Sequence, residues 1–323
     1  MKTIRREFLG LVAGACIFPK LAWAQAYPSR PITLIVPFPP GGTTDILSRA
    51  LAERMRTSLG QPIVIENIGG ASGTIGVARA ARAAPDGHTL EMGQFTSHIV
   101  PAAIQSVPYD VANDFAPVAP VATVYAMLYV KKAMPANDLE GFISWLKANP
   151  DKASQGTTTA GMHALGAFFQ RETGTRFQFV PYKGAAPAIQ DLIGGHIDFV
   201  LDSPVHLPHV RAGLIKCLAV SSKTRLKIAP DVPTFQESSL PALNFSPWFA
   251  LFAPKGTAKP LIEKLNSAAL DALDDPVIRG RLEDQGYELY PVDQRTPEAL
   301  AAIVKADIDK WWPIIKAANI QNQ

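Results

Sequence analysis

The sequence predicts an α/β protein of two lobes, each a mainly parallel sheet flanked by helices, with crossover strands between them. Two observations carry this. From residue 32 onward strand-like and helix-like segments alternate, and a β-α-β-α-β order requires parallel strands joined by helical crossovers. Two long apolar runs, Val121 to Val130 and Phe245 to Phe252, lack helical caps and bracket a middle segment of roughly 120 residues, one domain's worth. The chain is read as residues 1–24 (an export signal), residues 25–123 plus 250–323 (lobe 1) and residues 124–249 (lobe 2). A ligand cleft between the lobes is the natural consequence.

The N-terminus has three parts: basic Lys2, Arg5 and Arg6, an apolar run from Phe8 to Phe18, and Ala22-Trp23-Ala24 as an A-x-A cleavage site. The apolar run is too short for a membrane span, which needs roughly 20 residues. Arg5-Arg6-Glu7-Phe8-Leu9 fits R-R-x-F-L, a twin-arginine signal; the general secretory route stays open. Cleavage after Ala24 gives an exported, periplasmic chain. It removes Lys2, Arg5, Arg6, Lys20 and Glu7, so 31 basic and 28 acidic residues become 27 of each. A neutral chain without a basic cluster gives no footprint for nucleic acid. Cys16 leaves with the signal, so Cys217 is expected as a lone, buried thiol.

The elements follow in order. Ile32–Val36 is β-branched and apolar, hence a buried strand. Pro37-Phe38-Pro39-Pro40-Gly41-Gly42 is a rigid loop, and Thr43–Leu59 has helical spacing that ends at Gly60. Residues 62–66 form a strand, Gly69-Gly70-Ala71-Ser72-Gly73 a second glycine loop, and an Ala-rich helix runs through Ala83 to a strand at 88–92. Later come helices at 139–149, 162–173, 187–194 and 207–213, with strands at 177–180, 197–201 and around Cys217. Three terminal helices, 260–273, 276–285 and 297–318, each open at a Pro, which suits a first turn.

The two glycine loops are the chemical signal. Each carries a strand into a helix N-terminus, where unpaired N–H groups and the positive end of the dipole attract an anion such as a carboxylate or phosphate. Asp45, in the first turn after Gly42, would repel that anion, so it is expected to point sideways and hold the loop. Phosphate motifs are absent: residues 70–76 spell G-x-x-G-x-x-G, and no G-x-x-x-x-G-K-[ST] occurs. Ser72 lies in G-x-S-G rather than G-x-S-x-G, which weakens an exported hydrolase built on Ser72, His163 and Asp202. His206 and His209 lack a third ligand nearby, so no metal or cofactor is expected. Trp248 is expected in the core.

The chain resembles the Bug-type extracytoplasmic solute receptors of tripartite tricarboxylate transporters. The resemblance rests on YPSRPITLIVPFPPGGTTDILSRAL from Tyr27, AAPDGHTL from Ala83, VPYDVANDFAPV from Val107, VPYKGAAPAIQDLIGGHIDFVLD from Val180, PHVRAGLIKCLAVSSKTR from Pro208, VPTFQES from Val232 and PWFALFAPKGTAKPLIEKLN from Pro247. It implies a two-lobed type II periplasmic-binding-protein fold and a binding role rather than an enzymatic one. It also implies a small organic carboxylate gripped, mainly by backbone N–H groups and water, at the loop positions Phe38, Pro39, Gly41, Gly42 and Thr43 and at Gly70, Ala71, Ser72 and Gly73. The second lobe's ligand loop falls at Thr157, Thr158 and Thr159, with His163 at the helix start and Asp202 after a strand. The family's N-R-P-G-A-G-G is here Asn67-Ile68-Gly69-Gly70-Ala71-Ser72-Gly73, without the Arg. Phe95 is expected to wall the pocket. The implied partners are membrane permease subunits, or alternatively a sensor kinase, with the receptor itself a monomer.

Overall fold

A computed structural model describes residues 27–317 apart from positions 183, 239, 244 and 246, so the expected export signal and its expected cleavage site lie outside the described residues. Lobe 1 begins with β1 (Ile32–Val36), α1 (Thr43–Leu59), β2 (Ile63–Asn67), α2 (Thr74–Ala81), β3 (Thr89–Gln94), α3 (Phe95–Ile104) and β4 (Phe115–Thr123). The chain then builds β5 (Met127–Lys131), α4 (Leu139–Ala148), β6 (Ser154–Thr157), α5 (Ala160–Thr173), β7 (Gln178–Pro181), α6 (Ala185–Gly194), β8 (Phe199–Asp202), α7 (Leu207–Arg211) and β9 (Ile215–Val220). It returns through β10 (Trp248–Pro254), α8 (Lys259–Asp274), α9 (Pro276–Asp284), β11 (Glu288–Leu289) and α10 (Pro297–Ala317).

Among the described residues, the strands form two sheets, ordered β11-β4-β10-β3-β1-β2 and β7-β6-β8-β5-β9. Both are mixed, a same-direction majority interrupted by reversed strands. The β2-β1-β3 and β7-β6-β8 ladders are parallel, whereas β10, β4 and β11 in one sheet and β5 and β9 in the other pair antiparallel. The reversed strands β10 and β5 are those on which the chain enters a lobe from the other, so no helical crossover within the sheet sets their direction, and β11 is a two-residue edge strand.

The crossovers correct the expected single strands. Val121–Val130 breaks between β4 and β5, because there the backbone bonds sideways. Thr123 Oγ1 and Val124 N–H both donate to Pro247 C=O (2.9 and 3.3 Å), and Ala126 N–H donates to Ser221 Oγ at 3.0 Å. The returning strand starts at Trp248, not Phe245, whose C=O accepts from Ser221 Oγ at 2.6 Å. Three outgoing residues, Thr123, Val124 and Ala126, are thus stitched to the returning chain at the waist.

The core has one apolar cluster spanning both sheets, in which Phe95, Phe168 and Phe245 each meet Trp311 edge-on at 5.1–5.4 Å. A second cluster lies between the first sheet and α1, α8 and α9, and a third covers the other face of the second sheet. Helix α3 was not anticipated. It contains Pro101, whose missing N–H would have bonded the Ser97 C=O; the Tyr109 hydroxyl donates there instead, at 3.2 Å.

Candidate functional site

Strand register puts the predicted site loops at one place. The ends Asn67, Val36 and Gln94 share one edge of the first sheet, followed by the crossover residues Trp248 and Thr123 and then Glu288. On the second sheet the matching edge runs Pro181, Thr157, Asp202, Met127 and Val220. The crossovers therefore divide the space between lobes. The β1, β2, β3, β6 and β8 ends lie in front of them. Behind them is a cavity of about 410 Å³, lined by Thr123, Tyr125, Lys223, Glu288, Asp307 and Lys310 among others.

The first loop ends on α1, whose N-cap is Gly42 without any side-chain cap, so the first-turn N–H groups are left to an outside partner. Asp45 does point sideways, as expected. Its Oδ2 accepts from Gly41 N–H and Arg49 Nε (both 2.9 Å), and its Oδ1 from Asn67 Nδ2 at 2.9 Å. Asn67 Nδ2 also donates to Phe38 C=O at 3.1 Å, tying the loop to β2. Burial alone would raise the Asp45 carboxyl, but the bonds from Arg49, Gly41 and Asn67 prevail and hold it at about 2.

The second loop has an unusual backbone. Gly70, Ala71, Ser72 and Gly73 all take positive φ, at 118°, 46°, 56° and 91°. Ala71–Gly73 form a tight turn closed by Gly73 N–H donating to Gly70 C=O at 2.9 Å, and the remaining N–H groups of such a turn are able to form an anion nest. Two of the four carry Cβ atoms, a conformation that costs of order 1–3 kcal/mol per residue and that clusters at ligand sites. The loops are in contact: a Cβ on Gly69 would lie 3.3 Å from the Pro39 ring, and one on Gly73 would lie 3.4 Å from the Phe38 ring. It would also lie 2.9 Å from the Ser97 Cβ, so α3 floors the nest.

Lobe 2 faces this arrangement through α5. A Cβ on Gly161 would lie 2.7 Å from Thr96 Oγ1, so the α5 and α3 N-termini meet across the lobes. Thr159 caps α5, its Oγ1 accepting from Met162 N–H at 3.2 Å. Thr157 is fully buried and its hydroxyl turns inward to Val180 C=O at 3.4 Å, which corrects its expected role as a hydroxyl for the ligand; Thr158 is half-buried. His163 lies over Phe179 at 4.1 Å, and burial lowers its pKa, keeping the ring neutral at pH 7. Asp202 ends β8, where Oδ1 accepts from Ser203 N–H at 2.6 Å and Oδ2 lies 3.7 Å from His206 Nε2.

Phe95 does not wall this region. Its ring is 1% exposed and packs against Phe245 and Trp311, on the cavity side of the crossovers. Trp248 is in the core as expected, its Nε1 donating to Asp307 at 2.8 Å. Cys217 is free, with its thiol pushed up to about 12 by burial. No group of three or more His, Cys, Asp or Glu among the described residues is placed to hold a metal. Sequence reasoning missed Arg49, Asn67, Thr96, Ser97 and Gly161. Of these only Asn67, first in the family's loop pattern, carried a visible signal.

The sequence pattern described as "Tripartite tricarboxylate transporter family receptor" matches residues 47–320. The chain belongs to this receptor family. BugT of Bordetella pertussis is 36% identical over 298 residues, 91% of this chain and 90% of BugT. MatC of Rhodopseudomonas palustris, solved with bound malate, is 36% identical with a TM-score of 0.80, covering 90% of this chain and all of MatC. Rpa4515 of R. palustris, solved with adipate, is 32% identical with a TM-score of 0.81, covering 91% of this chain and 99% of its own. The receptor family and its solved relatives are periplasmic solute-binding proteins, not enzymes. In those terms the two-lobed fold is a binding-protein fold, and the front edge is where its helix N-termini converge.

Proposed function

We propose that the chain is a periplasmic receptor that captures a small organic carboxylate between its lobes and delivers it to the permease subunits of a tripartite transporter. The observation that carries this is the left-handed run of residues 70–73 packed against the uncapped start of α1. One ligand carboxylate would lie between the two, held by N–H groups of Gly42, Thr43, Gly70, Ala71 and Ser72, while Gly73 N–H, donating to Gly70 C=O at 2.9 Å, closes the turn behind them. Phe38, Pro39 and Gly41 would shape that loop. Aligned backbone donors balance a carboxylate without an Arg, which suits a loop that has lost the family's Arg. From lobe 2, Thr158, Asp202 and the α5 N-terminus, capped by Thr159 and flanked by His163, would meet the rest of the ligand. The malate and adipate held by MatC and Rpa4515 support a dicarboxylate. The lobe division at residues 123/124 and 249/250 belongs to the same reading. Only a closed form touches the ligand from both lobes, so ligand shifts the population toward closure, and the closed form docks on the permease.

The test is thermal shift of the chain lacking residues 1–24, with malate and adipate each beside its diamide. Ligand at 100 times its Kd adds about 2.7 kcal/mol. A shift with an acid and none with its diamide is expected. A protein shown empty by mass spectrometry that ignores both acids, or that accepts the diamides equally, overturns the proposal.

A further inference from the structure

Beneath the nest lies a buried polar line that the capture reading does not use. Glu91 in β3 is 1% exposed and His98 in α3 is 0% exposed. The His98 ring is stacked on Phe252 (4.9 Å between centroids) and meets Phe115 and Trp248 at 5.2 and 5.8 Å. Its Nε2 is 3.4 Å from Glu91 Oε2, and its Nδ1 is 3.1 Å from Ser97 Oγ. Ser97 Oγ also sits 3.3 Å from Gln94 N, from which it accepts, and 3.2 Å from Gln94 C=O. Gly73 rests on the Cβ of this same Ser97.

The chemistry gives this line a direction. A neutral imidazole carries its proton on one nitrogen, chosen by what the other faces. Glu91 lies at ion-pair distance from Nε2, outside hydrogen-bond geometry, and its carboxylate favours the Nε2–H form electrostatically. Nδ1 then offers a lone pair, and the Ser97 hydroxyl donates to it. With the proton on Nδ1 instead, His98 would donate to Ser97, and the hydroxyl would turn to Gln94 C=O. Ser97 thus has two hydrogen-bonding states, and Glu91 selects one. The Tyr109 hydroxyl, donating to Ser97 C=O, fixes the backbone beneath.

We propose that Glu91 and His98 are positioning residues for ligand capture: through the His98 tautomer they fix Ser97, and through Ser97 the floor of the 70–73 nest and the first turn of α3. This rests on the proposed carboxylate site, and the measurements keep the two apart. Nitrogen NMR of His98 needs no ligand. The Nε2–H form is expected in the unsubstituted protein, shifting toward a mixture in Glu91→Gln; an Nδ1–H ring in the unsubstituted protein overturns the inference. Calorimetry with malate and adipate is the second arm. Ser97→Ala leaves the buried pair in place. Glu91→Leu with His98→Leu replaces it by apolar groups, a change that keeps a folded core. Both variants should melt cooperatively and bind acid about tenfold more weakly. Melting shifts with unchanged Kd mean a purely structural pair and overturn the proposal. If the unsubstituted protein binds neither acid, the capture reading fails instead and this inference fails with it, whatever tautomer NMR reports.

Discussion

Asp45 sits beside the proposed anion site yet faces away from it, because three donors claim both of its oxygens. Its carboxyl is held at about 2, below the ordinary 3.8. The stabilisation is therefore fully present above 3.8 and is lost as pH falls through about 2. By the linkage relation it amounts to roughly 2 kcal/mol. Asp45→Asn should lower stability at pH 7 by about 1–2 kcal/mol, and urea titrations should show the gap from the unsubstituted protein shrinking below pH 3.8. Asp307 behaves oppositely. Burial raises it to about 6, despite the bond from Trp248. Its ionisation penalises folding as pH rises through about 6, so Asp307→Asn should raise Tm at pH 8 more than at pH 5. The sideways Asp45 was legible because an acid cannot face an anion. Phe95 and the Thr157 hydroxyl were not, since which way a side chain leaves the end of a strand depends on rings and carbonyls distant in sequence.

The left-handed loop sets a conflict between stability and binding. Ala71→Gly with Ser72→Gly relieves two strained Cβ positions, which should leave Tm unchanged or higher, since each such position costs about 1 kcal/mol or more. The same change frees the loop before ligand arrives, so affinity should fall. Paired melting and calorimetry check this; affinity that holds or improves would mean the loop is not a preorganised nest. Helix α1 was legible because its end is marked locally, with Gly60 at φ 70° donating to Arg56 C=O. Helix α3 was hidden by Pro101, and what rescues it is a hydroxyl eight residues on at Tyr109. The broken crossover was hidden for the same reason: apolar residues 121–130 read as one strand, and only the carbonyl of Pro247 and the hydroxyl of Ser221 show where the backbone leaves its ladder.

At the scale of the whole molecule, the lobes meet where α3 and α5 begin and are joined by the rings around Trp311. Gly161→Val would drive a branched side chain into Thr96. Each lobe should still fold, while X-ray scattering should show an acid-treated variant remaining more extended than the unsubstituted protein, with weaker binding. The alternation of strands and helices made the two lobes legible, but the division of their junction into front and back needed the register of every strand. One consequence follows from building the cradle out of main chain. Arg49 is matched by Asp45, so the loop network carries no net charge. Dipoles act at short range, and free ions screen them far less than they screen separated charges. Capture should therefore hold its strength from dilute buffer to brine, with arrival rates set by unguided diffusion rather than by a long-range field.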